Sequence, residues 1–145
     1  MVTHGFLVFR YKGIFYSFYN HSDSYPSGLG EEIVRCLGNM GSDEFAEMRD
    51  LLDNMPEPVE DGSRKTSVWD VMGVLRNPEC TEYYITADQC HESNYTYIID
   101  LDLEQFIAKT FSHRISRDIY QIFDLYDIPS NWVEMFEHYV ESVQF

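Results

Sequence analysis

Alternation of apolar and polar positions is clearest at the start of the chain. Gly5–Tyr11 and Ile14–Asn20 are built mostly from β-branched and aromatic residues, with Lys12-Gly13 between them. A two-residue gap with glycine second is a hairpin signal. Pairing across that gap puts Leu7, Phe9, Tyr11, Ile14, Tyr16 and Phe18 on one face. The other face takes Phe6, Val8, Arg10, Phe15, Ser17 and Tyr19. The first face is dry enough for a core and the second is mixed. Lys12 must accept a positive φ in such a turn, so a bulged or longer turn is the alternative.

The period then lengthens. Residues 21–30 are rich in Ser, Pro and Gly and read as a loop. Glu31 and Glu32 suit a helix N-terminus, and that helix stops near Gly38. Ser42 or Asp43 caps a second helix, with Phe45, Met48, Leu52 and Met55 at helical spacing. An acidic, Pro-containing loop follows it. A short third helix is predicted over Ser67–Arg76, with Val68, Met72 and Leu75 inward. Glu82–Asp88 and Asn94–Leu101 read as strands joined as a hairpin, and Phe106–Ala108 continues them. The stretch Ile115–Tyr126 fits either a helix or irregular structure. A final helix starts at Pro129, with Trp132, Phe136, Tyr139, Val140 and Val143 as its apolar stripe. The expected class is α+β. One antiparallel sheet, made of the N-terminal hairpin plus an 82–108 meander, is packed with four to five helices, all in a single domain spanning 1–145.

Charge narrows the function classes. Ten Lys+Arg stand against 25 Asp+Glu, a formal net charge of −15. Direct nucleic-acid binding is therefore not expected, because such affinity rests on cations that neutralise phosphates. No apolar run approaches the roughly 18 residues of a membrane span, so no membrane association is expected. The N-terminus lacks the basic region and unbroken apolar stretch of a signal peptide, which predicts a cytoplasmic address. Cys36, Cys80 and Cys90 are scattered, so neither a disulfide framework nor a zinc site is expected. From Asp118 onward there are six acids and no Lys or Arg.

Candidate chemistry gathers after the hairpin. Asn20, His21, Asp23, Ser24 and Tyr25 bring an amide, an imidazole, a carboxylate and two hydroxyls together within six residues. With Arg10 and Tyr19 from the hairpin they form the candidate ligand- or partner-binding set. No catalytic residue is assigned. If the chain is an enzyme, His21 is the general base and Asp23 orients it. The plainer reading makes Asp23 and Ser24 turn formers, has Tyr25-Pro26 plug the core edge, and gives His21 a carbonyl to satisfy. An N-terminal-nucleophile hydrolase needs its nucleophile at the free terminus, whereas Thr3 lies behind Met1-Val2. Cys90-His91 with Asp88 and Glu92 reads as a solvated turn, and Asp100 with Asp102 as the wet side of a strand. No metal and no cofactor are expected.

From Arg10 to Gly30 the chain reads RYKGIFYSFYNHSDSYPSGLG, after His4-Gly5. This resembles an uncharacterised family of intracellular proteins from fungi and large DNA viruses. That family carries an N-terminal RYKGxxYxxYNHxDSYPxGLG signature. Glu82-Tyr83, Tyr97–Asp102, and Ile128-Pro129 followed by Trp132 are similar to its later signatures. The resemblance implies an intracellular setting, either host cytoplasm or virion if the source is viral, and it points to the loop without naming a reaction.

The expected function is thus a small acidic module, non-enzymatic, that binds a protein partner or small ligand through the hairpin and the 19–26 loop. A homodimer through the hairpin face is one form of that partner. A viral source would make it a virion or host-directed protein. The alternative is a small hydrolase using the same loop, and the third reading is an acidic nucleic-acid mimic.

Overall fold

The structure is a computed structural model and describes residues 3–58, 67–86 and 94–144. Among these the strands are β1 (Gly5–Tyr11), β2 (Ile14–Asn20), β3 (Tyr83–Thr86), β4 (Tyr95–Asp100), β5 (Gln105–Ser112) and β6 (Arg117–Asp124). The α-helices are α1 (Glu31–Gly38), α2 (Ser42–Asp53), α3 (Val71–Arg76) and α4 (Trp132–Gln144). A π turn, Pro26–Gly30, leads into α1.

The sheet runs β3-β2-β1-β4-β5-β6. β1 and β4 are parallel and every other pair is antiparallel. The hairpin has the register set by its turn, from Tyr11↔Ile14 to Gly5↔Asn20. Lys12 (φ 53°) and Gly13 (φ 76°) both take the positive φ that a type I′ turn needs. The Asp102 carboxylate accepts hydrogen bonds from the backbone N–H of Lys12 (2.7 Å) and Gly13 (2.8 Å), which ties the turn to the end of β4.

The helices cover one face. Leu7, Phe9, Phe18, Tyr97, Ile99, Phe106 and Phe123 of the sheet pack in one core with Ile33, Met48, Leu52, Val74, Trp132 and Phe136. Burying each of the large side chains contributes about 1.5–3 kcal/mol. Trp132 is the keystone. It is fully buried, its indole N–H donates to Glu31 Oε1 (2.8 Å), and the rings of Tyr97, Phe106 and Phe123 meet it edge-on. A smaller cluster of Phe6, Val8 and Ile98, flanked by Phe15, Tyr19 and Ile107, lies on the opposite face.

The α+β class stands, and several details differ from expectation. The sheet is mixed, not wholly antiparallel, since β1 and β4 run parallel, and the third helix starts at Val71 rather than Ser67. β3 is not the hairpin partner of β4. It pairs with β2 at Phe18↔Tyr83, two strands away, while β4 inserts beside β1. Burial explains the placement: β4 is enclosed on both faces from Thr96 to Asp100 and belongs at the centre, whereas β3 is short and half exposed. The ambiguous Ile115–Tyr126 stretch holds β6, whose Ile119 and Phe123 face the core. In α4, Tyr139 leaves the apolar stripe and is exposed. α4 lies against β6 and the π turn, so a narrow stripe headed by Trp132 and Phe136 is enough.

Candidate functional site

The corner that follows β2 is held from the inside. Asn20 and Ser24 are buried. The Asn20 side-chain amide donates to the Ser22 carbonyl (2.7 Å) and to Ser24 Oγ (2.8 Å). Tyr97, at the centre of the sheet, donates its hydroxyl to the Ser24 carbonyl (2.7 Å). Asp23 takes a left-handed φ of 55°, and its carbonyl accepts from the Leu29 N–H (3.0 Å). Asparagine and serine suit this work because short polar side chains mimic a backbone turn while filling little space. Two members of the predicted binding set, Asn20 and Ser24, are therefore turned inward and partnered.

The remaining loop members face outward and divide between two sides. On the inner side a cleft of about 360 Å3 is lined by Asn20, Ser22, Asp23, Ser27, Gly28, Leu29, Glu32 and Val68. Two of these are acids, and none of the described lining residues is basic. The Asp23 carboxylate lies against Gly28. On the outer side Tyr19 stands between two imidazoles: its hydroxyl meets His4 Nδ1 closely and His21 Nδ1 at 3.3 Å. The His4 and His21 rings are 5.1 Å apart, edge to face. Backbone anchors hold both: His21 N–H donates to Ser67 Oγ (3.0 Å) and His4 N–H to Asn94 Oδ1 (3.2 Å). Tyr25 is exposed and its ring sits 5.9 Å from Tyr95; the core edge is plugged by buried Pro26.

His4 is a site residue that reading the sequence overlooks. The signal was present, because the register that sets Gly5 opposite Asn20 leaves His4 and His21 as the next residue of each strand at the open end of the hairpin. Conversely, His21 and Asp23 do not form the acid–base pair expected of a hydrolase: the imidazole partners Tyr19 and the carboxylate turns to Gly28. Thr3 is buried, and Cys36 is a poor nucleophile because burial raises its thiol pKa. The Asp88–Glu92 candidates lie outside the described residues.

Arg10 does not join the corner. It sits near the turn end of the hairpin, opposite Phe15, and pairs with Asp100 (3.1 Å) and Asp102 (3.7 Å). Asp100 Oδ1 also accepts the N–H groups of Asp102 and Leu103, each at 3.0 Å. These two carboxylates stitch β4 to the following turn and to the hairpin, so protein donors take up both. Among the described residues no group of three or more His, Cys, Asp or Glu is placed to hold a metal, and no helix is long and apolar enough to cross a membrane.

Two tyrosines of this core titrate late. Burial, then the nearby Tyr95, Glu137 and Asp23, pushes Tyr97 well above the ordinary 10.0. Burial, then the Glu57 and Glu79 carboxylates, pushes Tyr83 up to about 12. A phenol whose folded pKa lies above its unfolded value keeps its proton better when folded. That stabilisation is complete below about pH 10 and is lost as pH climbs toward 12. The urea midpoint should therefore hold to pH 10 and fall above it, with a shallower fall in Tyr83→Phe. A midpoint unchanged at pH 11.5 would contradict this. Compared with known protein families, curated proteins and solved structures, the chain matches none.

Proposed function

We propose that the protein is a binding module whose recognition element is the corner after β2. Its target is a cationic group, an amine or guanidinium, on a protein segment or small ligand. The observation that carries this reading is the inner cleft. Buried Asn20 and Ser24 fix the backbone, which leaves Ser22, Asp23, Ser27 and Glu32 around an opening with no base among its described lining. Asp23 supplies the charge there, while Glu32 is also paired with exposed Arg35 one turn along α1. The net charge of −15 favours encounter with a cation over long range. Binding is favoured over hydrolysis because the corner's imidazole and carboxylate point to different neighbours.

Titration of the isotopically labelled chain with a short Arg/Lys-rich peptide at low salt tests the reading. Amide shifts should concentrate on Ser22–Gly28 and Glu32, and Asp23→Asn with Glu32→Gln should weaken binding about tenfold. Shifts confined to α4 would overturn it in favour of a second reading, an acidic mimic of nucleic acid. Exposed Glu134, Glu137 and Glu141, which share one side of α4, favour that second reading.

A further inference from the structure

The outer side of the same corner has a different chemistry. We propose that His4, Tyr19 and His21 form a binding site for a borderline divalent transition-metal ion of the Zn2+ or Cu2+ type. The inference deepens the reading of the corner as a binding element and assigns a ligand class to the side opposite the acidic cleft.

Donor type comes first. Two imidazole nitrogens and a phenol oxygen suit zinc and copper far better than calcium or magnesium, which take all-oxygen shells. Convergence comes second. Both Nδ1 atoms address one point, the Tyr19 hydroxyl, from different directions. That hydroxyl has one proton to give, so the trio already shares protons among three lone-pair carriers, and a cation replaces the shared proton.

Dimensions come third. With metal–ligand bonds of about 2.0–2.1 Å, two donors on a tetrahedral ion stand about 3.3 Å apart. Tyr19 Oη and His21 Nδ1 are 3.3 Å apart. Two imidazoles on such an ion have ring centres about 5.2 Å apart, against 5.1 Å for His4 and His21. The third pair, His4 Nδ1 and Tyr19 Oη, does not have this spacing, so an ion can enter only if that contact widens.

Anchoring comes fourth. His4 and Tyr19 lie at and beside the paired end of the hairpin, and the backbone of His21 is tied to Ser67. The donors therefore start near their bound geometry, which limits the ordering cost. His21 is exposed, so the ion has a path in. Three protein ligands leave a coordination position open to water, and the expected affinity is micromolar, weaker than a closed four-ligand structural site.

Calorimetry on the tag-free, chelator-treated full chain with ZnCl2 or CuSO4 as the sole probe tests the site. One ion per chain should bind. His21→Ala and His4→Gln should each weaken binding at least tenfold, Tyr19→Phe less, and His113→Ala with His138→Ala not at all. Circular dichroism and melting of each variant identify any that fail to fold. His21→Ala changes an exposed side chain and keeps the test decisive. One-to-one binding that survives in the His4→Gln/His21→Ala double variant would overturn the site, as would no binding up to 1 mM metal. Either failure leaves the peptide titration of the inner cleft to stand or fall through Asp23 and Glu32.

Discussion

Trp132→Ala should lower the unfolding free energy by about 4 kcal/mol, the middle of the range for deleting a large buried aromatic side chain. The side chain is fully enclosed, and the rings of Tyr97, Phe106 and Phe123 cannot close the void together, because each is a residue of a different strand of one sheet. The loss also leaves Glu31 without its indole donor at the start of α1. In a chain of this length such a loss lowers the melting temperature by about 10 °C. Trp132→Phe separates the two contributions: it keeps most of the volume and forfeits the hydrogen bond, at about 1–2 kcal/mol. Urea denaturation of the two variants checks both values. A Trp132→Ala variant within 1 kcal/mol of wild type would mean that α4 is not fastened to the sheet through this residue.

Asp100→Ala should cost about 3 kcal/mol. The carboxylate is buried, accepts two backbone N–H groups and faces the Arg10 guanidinium at 3.1 Å. Removing one member of a fully buried pair costs about 3–5 kcal/mol; the partial exposure of Arg10 and its second partner Asp102 place the effect at the lower end. Asp100→Asn keeps an acceptor for the turn amides and loses the charge, so it should cost roughly half as much. If the asparagine variant is as damaging as the alanine one, the ion pair outweighs the turn bonds; equal stability to wild type would remove Asp100 from both roles.

Much of this architecture was legible from residue pattern, and what escaped has a common cause. Periodicity of two reports which face a side chain takes, and the faces of β1 and β2 follow from it directly. In β4 it misleads, because that strand is buried on both faces and Asp100, read as the wet side, is enclosed by its partners Arg10 and the turn amides. Periodicity also carries no information about which strand lies alongside, so the partner of β3 depended on the packing of Tyr83 on Phe18, invisible locally. The α2 stripe of Phe45, Met48 and Leu52 was readable because a helix brings its own neighbours together. Arg10 was grouped with the loop because both belong to one contiguous stretch of sequence. A hairpin folds such a stretch in half, sending position 10 toward the turn and position 20 to the open end. The same folding rule, carried one pair further, would have found His4. Asn20 and Ser24 could not be told from ligand-binding groups by type alone, since the side-chain chemistry that captures a ligand also closes a turn.

The parallel seam between β1 and β4 has a kinetic consequence. Gly5 and Tyr95 are neighbours in space and 90 positions apart along the chain. During synthesis at 5–20 residues per second, the opening ribbon waits on the order of 5–20 s with one flank bare before its second neighbour leaves the ribosome. Over that interval an apolar strand offers free amides and carbonyls to any passing extended segment. Yield in cells should consequently depend on chaperone capacity more than equilibrium stability alone suggests, and refolding in vitro should be slow and concentration-sensitive.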